Sequence, residues 1–329
     1  MTVRFPRAVR LLFAPFWAGL GAALTIAIPP AGLALVPIGA SRLARSAFAA
    51  PTAFEAFSIA ALAPAAALAF GLLVGPGNAI PAALLAISLF SLPALALLAA
   101  ARDGRRREEV LLVVASVSGI GLLAILLGVA TGGRDPGPFL AARFDEKVPE
   151  ILAFYRTSGW EESAIETTAR LFRMMASVIA EQLPGLVLAA AVLFAGAVVY
   201  PLGRLWGAEY RGLSEPSFAR FRTPFYAAVA FIPAGAVAAF AGPDARRAAV
   251  DVILPLVALF FLRGLAIIRA LLDRGRAGLF LRALVWVVVF QMPLPLVLAF
   301  GGILDEFLDV RGRVDRWAAA RRNGGPGEP

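Results

Sequence analysis

Few residues in this chain have side chains able to do chemistry in a membrane, and Arg263 is the most conspicuous of them. It sits inside the apolar run AAVDVILPLVALFFLRGLAIIRALLDRG, about 13 residues past Val250. At 1.5 Å per residue, that is roughly 20 Å along a helix. A cation at hydrocarbon depth costs roughly 2.5–3.5 kcal/mol, so it is either partnered or used. Its neighbours Phe260, Phe261 and Leu262 offer no partner. Asp251, on the same helix, stands about 120° away round the axis and roughly 18 Å away along it. The partner must then come from another span, from a carbonyl at the Pro293–Pro295 break, from a water-filled cavity or from a bound anion. Asp251, Gln291, Asn78 and Glu55 are the other polar groups nearest apolar segments. Arg263, Asp251 and Gln291 are therefore the candidate ligand-binding residues. Each has a plainer reading: a snorkelling or structurally paired arginine, an i,i+4 pair of Asp251 with Arg247, or ordinary polarity near a span end for Glu55 and Asn78.

The missing residue types exclude more than the present ones suggest. With no cysteine and no histidine, disulfides, thiolate nucleophiles, His-based metal sites and Ser-His-Asp units are absent. Lys147 is the only lysine, and no Gly-x-x-x-x-Gly-Lys surrounds it, so there is no phosphate-binding loop of that kind. Carboxylate, guanidinium, hydroxyl and amide groups remain. The expectation is a protein without enzymatic activity, metal or cofactor.

Composition places these groups in a membrane. Sixty per cent of the 329 residues are hydrophobic and 16% charged, against about 45–50% and 25% in soluble domains. The excess lies in runs of about twenty residues, the length of a bilayer crossing. Candidate spans are 11–28, 54–74, 79–101, 110–131, 183–205, 225–241, 250–272 and 279–304, with a short run at 31–40. The fold class expected is an all-α polytopic transmembrane bundle of eight or nine spans. Residues 1–320 form a single membrane domain, and 321–329 a disordered tail.

The net charge of +9 falls in short arginine clusters between apolar runs. That pattern marks cytoplasmic loops and not a nucleic-acid surface. RDGRRREE, with Arg102, Arg105, Arg106 and Arg107, is the strongest anchor and is expected in the cytoplasm, and Arg4, Arg7 and Arg10 before an uncleaved first span point to a cytoplasmic N-terminus. Residues 132–182 are then an external loop. In it Ser158-Gly-Trp-Glu161 resembles a capping box, and Ile165, Thr168, Phe172, Met175 and Ile179 form the stripe of an amphipathic helix leading into the membrane at Leu183. A second stripe, Ile303, Phe307, Val310, Val314 and Trp317, predicts an interfacial helix at the C-terminus.

Three stretches, FARFRTP, LFFLRGLAII and FGGILDEFLDVRGR, occur in that order. Together they resemble the YybS-like family of bacterial integral membrane proteins, over roughly residues 16–315. The resemblance marks Gly264, Asp305, Asp309 and Arg311 as motif positions. The sequence departs from the family at Asp251 and Arg263, where neutral amides are more usual. The family's distant similarity to substrate-capturing membrane subunits of vitamin and metal uptake systems implies a helical bundle that binds a small molecule. The functional expectation is thus a small-molecule-binding or transport-type component of the bacterial inner membrane, whose partners are the bilayer and a ligand or protein. The alternative is a membrane scaffold or assembly factor without transport.

Overall fold

The computed structural model describes residues 53–308 except 76, 78, 104–105, 207–217, 276 and 292, together with residues 15, 18–20, 22, 312 and 313. Most of the first apolar run, all of the second, Asn78, Asp309, Arg311, most of the C-terminal stripe and residues 321–329 lie outside the described residues, as does the side chain of Glu55.

Alanine- and leucine-rich runs have high helix propensity, and in hydrocarbon every backbone group must bond within its own segment. The described chain is accordingly all-helical, without a strand among the described residues. Helix α1 is Ala53–Val74. Helix α2 (Ala79–Ala86) continues through a π-helical turn, Ile87–Ser91, into α3 (Leu92–Arg102). Then come α4 (Arg107–Thr131), α5 (Pro136–Thr157), α6 (Glu162–Trp206), α7 (Phe225–Phe240), α8 (Pro243–Arg274), α9 (Leu279–Val289) and α10 (Leu294–Leu308). Helices α6 and α8 are the centre of the bundle. α6 packs on α4, α5 and α8, while α8 packs on α6, α7 and α10. Phe90, Leu97, Leu111, Val114, Phe221 and Phe260 fill the core. Leu73, Phe240, Leu279 and Phe280 are more than four-fifths exposed, an arrangement that only lipid makes favourable on this scale.

Four helical stretches are long and apolar enough to cross a bilayer: Ala79–Ala100, Arg107–Thr131, Glu162–Tyr200 and Pro243–Arg274. Helices α9 and α10 make a fifth if they are one broken span, bent by 98°. Helix α7 has 16 residues and so reaches about 24 Å, short of the roughly 30 Å hydrocarbon core. Within α1, which has 22 residues, the apolar stretch Ala60–Leu73 is likewise shorter than a full crossing. The described residues thus give four or five full-length spans where hydropathy suggests eight or nine over the whole chain.

The polar stretch departs most from its sequence reading. It is a helical hairpin instead of a loop followed by one helix. Asp135 caps α5 by accepting from the Gly137 N–H at 3.2 Å, and Pro136 fits the first turn because its missing N–H would be unbonded there. Ser158 does not cap α6. Its hydroxyl donates to the Phe154 carbonyl at 2.8 Å and so closes the end of α5. The chain reverses at Gly159, whose φ of +80° favours glycine. Arg156 and Glu162 pair across the turn at 3.0 Å, a bond that holds this guanidinium above its ordinary pKa. Of the expected stripe, Ile165 is buried against α5 and Phe172 meets Phe144 edge-on at 5.9 Å, whereas Met175 is half exposed. The 45 residues of α6 then lead into the membrane as two helical segments joined at a kink at Gln182.

Topology is testable because the chain has no native cysteine. A cysteine at position 104 is expected to be shielded from an impermeant thiol reagent in intact cells, and one at Glu150, exposed on α5, to react. The reverse pattern would invert the orientation of every loop. Gly137 is a poor reporter position, since a Cβ there would run into the Ala180 carbonyl.

Candidate functional site

Two places in the bundle gather polar groups, both along α8. The deeper one lies where α8 crosses α10. A Cβ on Gly264 would collide with the Leu298 carbonyl, and one on Gly302 with the Phe260 carbonyl. Glycine at both positions lets the two backbones touch, as small residues do between membrane helices. That approach brings Arg263 to the last turns of α10. Its Nε donates to Asp305 Oδ2 at 2.9 Å, and its Nη1 donates to Thr223 Oγ1 at 2.8 Å and ion-pairs with Glu306. Thr223, in the extended segment before α7, donates in turn to Glu306 Oε2 at 2.8 Å. Arg263, Thr223 and Asp305 are only 5%, 5% and 2% exposed, while the Glu306 side chain at the edge of the network is 16% exposed. The partner of Arg263 does come from another helix, and it is carboxylate.

The second place is a break in α6. Pro184 has no N–H to give the Ala180 carbonyl, and its ring crowds the preceding turn. Gln182 leaves helical geometry there, with φ −119° and ψ 24°. Helix α8 supplies the missing partners. Arg247 Nε donates to the Glu181 carbonyl at 2.6 Å, with Nη2 at 3.4 Å from the Ala180 carbonyl. Asp251 Oδ1 accepts from the Gly185 N–H at 2.9 Å. Turned with its nitrogen toward α8, the Gln182 amide also donates to Asp251 Oδ1 and to the Arg247 carbonyl, both at 3.2 Å. Arg247 and Asp251 therefore hold the broken backbone and do not pair with each other. Beside the break is a cavity of about 260 Å³. The end of α4, the start of α5, Ala180, Leu183 and Pro184 of α6, and Arg247 line it.

Over residues 55–305 the chain matches the family model described as Predicted membrane protein (DUF2232). The chain belongs to that family. No curated protein and no solved structure matches it. The match covers the α6 break and the deeper network as far as Asp305, one residue short of Glu306.

The three stretches singled out in the sequence meet at the deeper site. FARFRTP supplies Thr223, LFFLRGLAII supplies Arg263 and Gly264, and FGGILDEFLDVRGR supplies Gly302, Asp305 and Glu306. Asp251 lies elsewhere, at the α6 break. Gln291 joins neither. It is exposed in the bend between α9 and α10, where its backbone N–H donates to the Val288 carbonyl at 2.9 Å. The sequence reading missed Thr223, Glu306, Gln182 and Gly185 as polar partners. Pro184-Gly185 inside an apolar run was the available signal for the break.

Asp251→Ala is expected to destabilise the protein by about 1–3 kcal/mol, because it leaves the Gly185 N–H without an acceptor in a part-buried position. Asp251→Asn keeps an acceptor oxygen and is expected to cost less. Thermal unfolding in detergent separates the two, and equal losses would argue against the hydrogen bond.

Proposed function

We propose that this protein binds a small molecule in the membrane, as a transport-type component or its substrate-capturing part, and that the ligand sits at the break in α6. One observation carries the reading: α6, interrupted at Gln182, passes a cavity lined by Ala180, Leu183 and Pro184 beside the interruption and by one charged side chain of α8, Arg247. Discontinuous helices of this kind are how transporters bring backbone groups and charge to a ligand. At about 260 Å³ the cavity is near the lower limit of small-molecule pockets, roughly 300 Å³. On this reading Arg263 anchors α8 to α10 and is not itself a ligand group. No enzymatic step is part of it. The narrower YybS-like grouping, a bacterial inner-membrane location and eight or nine spans belong to the same proposal. Helix α1, with 22 residues, and the 16-residue α7 are then counted among the crossing helices.

The scaffold reading keeps one supporting observation. Leu171, Met174, Met175 and Val178 lie at i, i+3, i+4 and i+7 on α6, and each is more than two-fifths exposed. A partner protein would cover them.

A thermal-shift screen of the purified full-length protein against a soluble metabolite and lipid library decides between the readings. A compound that raises the melting temperature of wild type but not of Leu126→Trp, which fills the cavity, supports binding at the break. The absence of any such compound, with a protein partner captured on the Leu171–Val178 face, would support the scaffold.

A further inference from the structure

We propose that the cavity beside the α6 break takes a zwitterionic amphiphile from the bilayer, an ammonium–phosphate headgroup carrying an acyl chain. This rests on the reading that the break is a binding site, and it adds the ligand class. Among the described residues, two charged groups line the cavity, and they are of opposite sign: Arg247 and Asp135. Arg247 commits Nε to the Glu181 carbonyl at 2.6 Å, so its fork of Nη groups is left to face a ligand with at most the long 3.4 Å contact to Ala180. Asp135 uses Oδ1 for the cap on Gly137 at 3.2 Å, which leaves Oδ2 for a cation. A purely anionic ligand would meet the Asp135 carboxylate, and a purely cationic one the guanidinium. A headgroup with both charges matches both.

The remaining wall is apolar. Leu123, Leu126 and Leu127 occupy one face of the last turns of α4, with Leu183 of α6 among the other lining residues. These turns end a 25-residue helix long and apolar enough to cross a bilayer, which puts them toward its interfacial end. Leu127 is 65% exposed, and this wall is therefore open sideways, where lipid lies. An acyl chain along the leucines would place its headgroup at the interface, level with Arg247 and Asp135. A soluble zwitterion would make no use of that slot.

The test measures binding to the full-length protein in neutral detergent with three probes: lyso-phosphatidylethanolamine, lyso-phosphatidylglycerol and free phosphoethanolamine. The first is expected to bind about 10-fold more tightly than the second, the ratio that one charge-assisted hydrogen bond supplies. The third is expected not to bind measurably. Asp135→Asn, which retains the helix cap, should erase the preference between the two lipids. Leu126→Trp should abolish lipid binding. If that variant does not fold, Leu127→Trp at the exposed rim serves instead. Equal binding of the two lipids by wild type, binding of the free headgroup as tight as that of the lipid, or lipid binding that survives the tryptophan variants would each overturn the proposal. If all three probes fail while a soluble compound from the library binds and is lost in Leu126→Trp, the ligand class falls and the binding site stands. If nothing binds, both fall.

Discussion

Arg263→Gln is expected to lower stability by about 3–5 kcal/mol, the largest loss from any single polar substitution in the bundle. Removing one member of a buried ion pair leaves its partner charged and uncompensated. Here the substitution strands the carboxylates of Asp305 and Glu306, which bind the guanidinium from the same end of α10. Thr223 remains bonded to Glu306 at 2.8 Å, but a hydroxyl does not offset a charge. The triple variant Arg263→Gln, Asp305→Asn, Glu306→Gln removes the charges together and leaves amides that can bond one another. It is expected to recover most of the loss, because a buried ion pair replaced whole is often close to neutral. Thermal or denaturant unfolding in detergent reads both variants. A single substitution without effect would mean that the network contributes nothing to the α8–α10 contact.

Two adjacent glycines give the second prediction. Gly302→Ala is expected to cost about 1–3 kcal/mol by overpacking, since its Cβ meets the Phe260 carbonyl and lies 3.2 Å from the Gly264 N–H. Backbone on both sides cannot yield as a flexible side chain would. The helices must separate, and that draws Asp305 away from Arg263. Gly301→Ala is the matched control: a Cβ there has nothing within 4 Å, and alanine gains up to about 1 kcal/mol in helix propensity. The prediction is therefore a difference of sign between neighbouring positions, read by the same unfolding measurement. Loss at both positions would place the α8–α10 crossing elsewhere.

These two substitutions also show how far the sequence reached. That Arg263 needs a partner followed from its depth in an apolar run, and so did the exclusion of Asp251, by helical geometry. The identity of the partner did not follow. Asp305 stood out in the C-terminal stretch, but its contact with Arg263 spans 42 residues and depends on a helix crossing set by Gly264 and Gly302. The resemblance marks Gly264 as a motif position without saying what it packs against, and nothing local to Gly302 distinguishes it from the many other glycines in the chain. Helix α5 was missed for the opposite reason. Its frequent acids and bases resemble a solvated loop, although Asp135-Pro136 marks a helix start. In Gln291 a polar residue in an apolar run suggested a lining group, but beside Pro293 it belongs to a bend. Asp251 was readable as important and misread as to partner. It bonds the backbone that Pro184 disrupts, and that need appears only once α6 and α8 are packed together.

The paired charge network around Arg263 and the α6 break proposed to receive a ligand are separate places along α8. Calorimetric titration of one bound compound, taken from the thermal-shift screen, into two variants tests that separation most directly. Binding is predicted to vanish in Leu126→Trp and to persist at near wild-type affinity in the triple variant lacking the charges of Arg263, Asp305 and Glu306. Binding that survives Leu126→Trp and disappears with the network would contradict the account and place the ligand on Arg263.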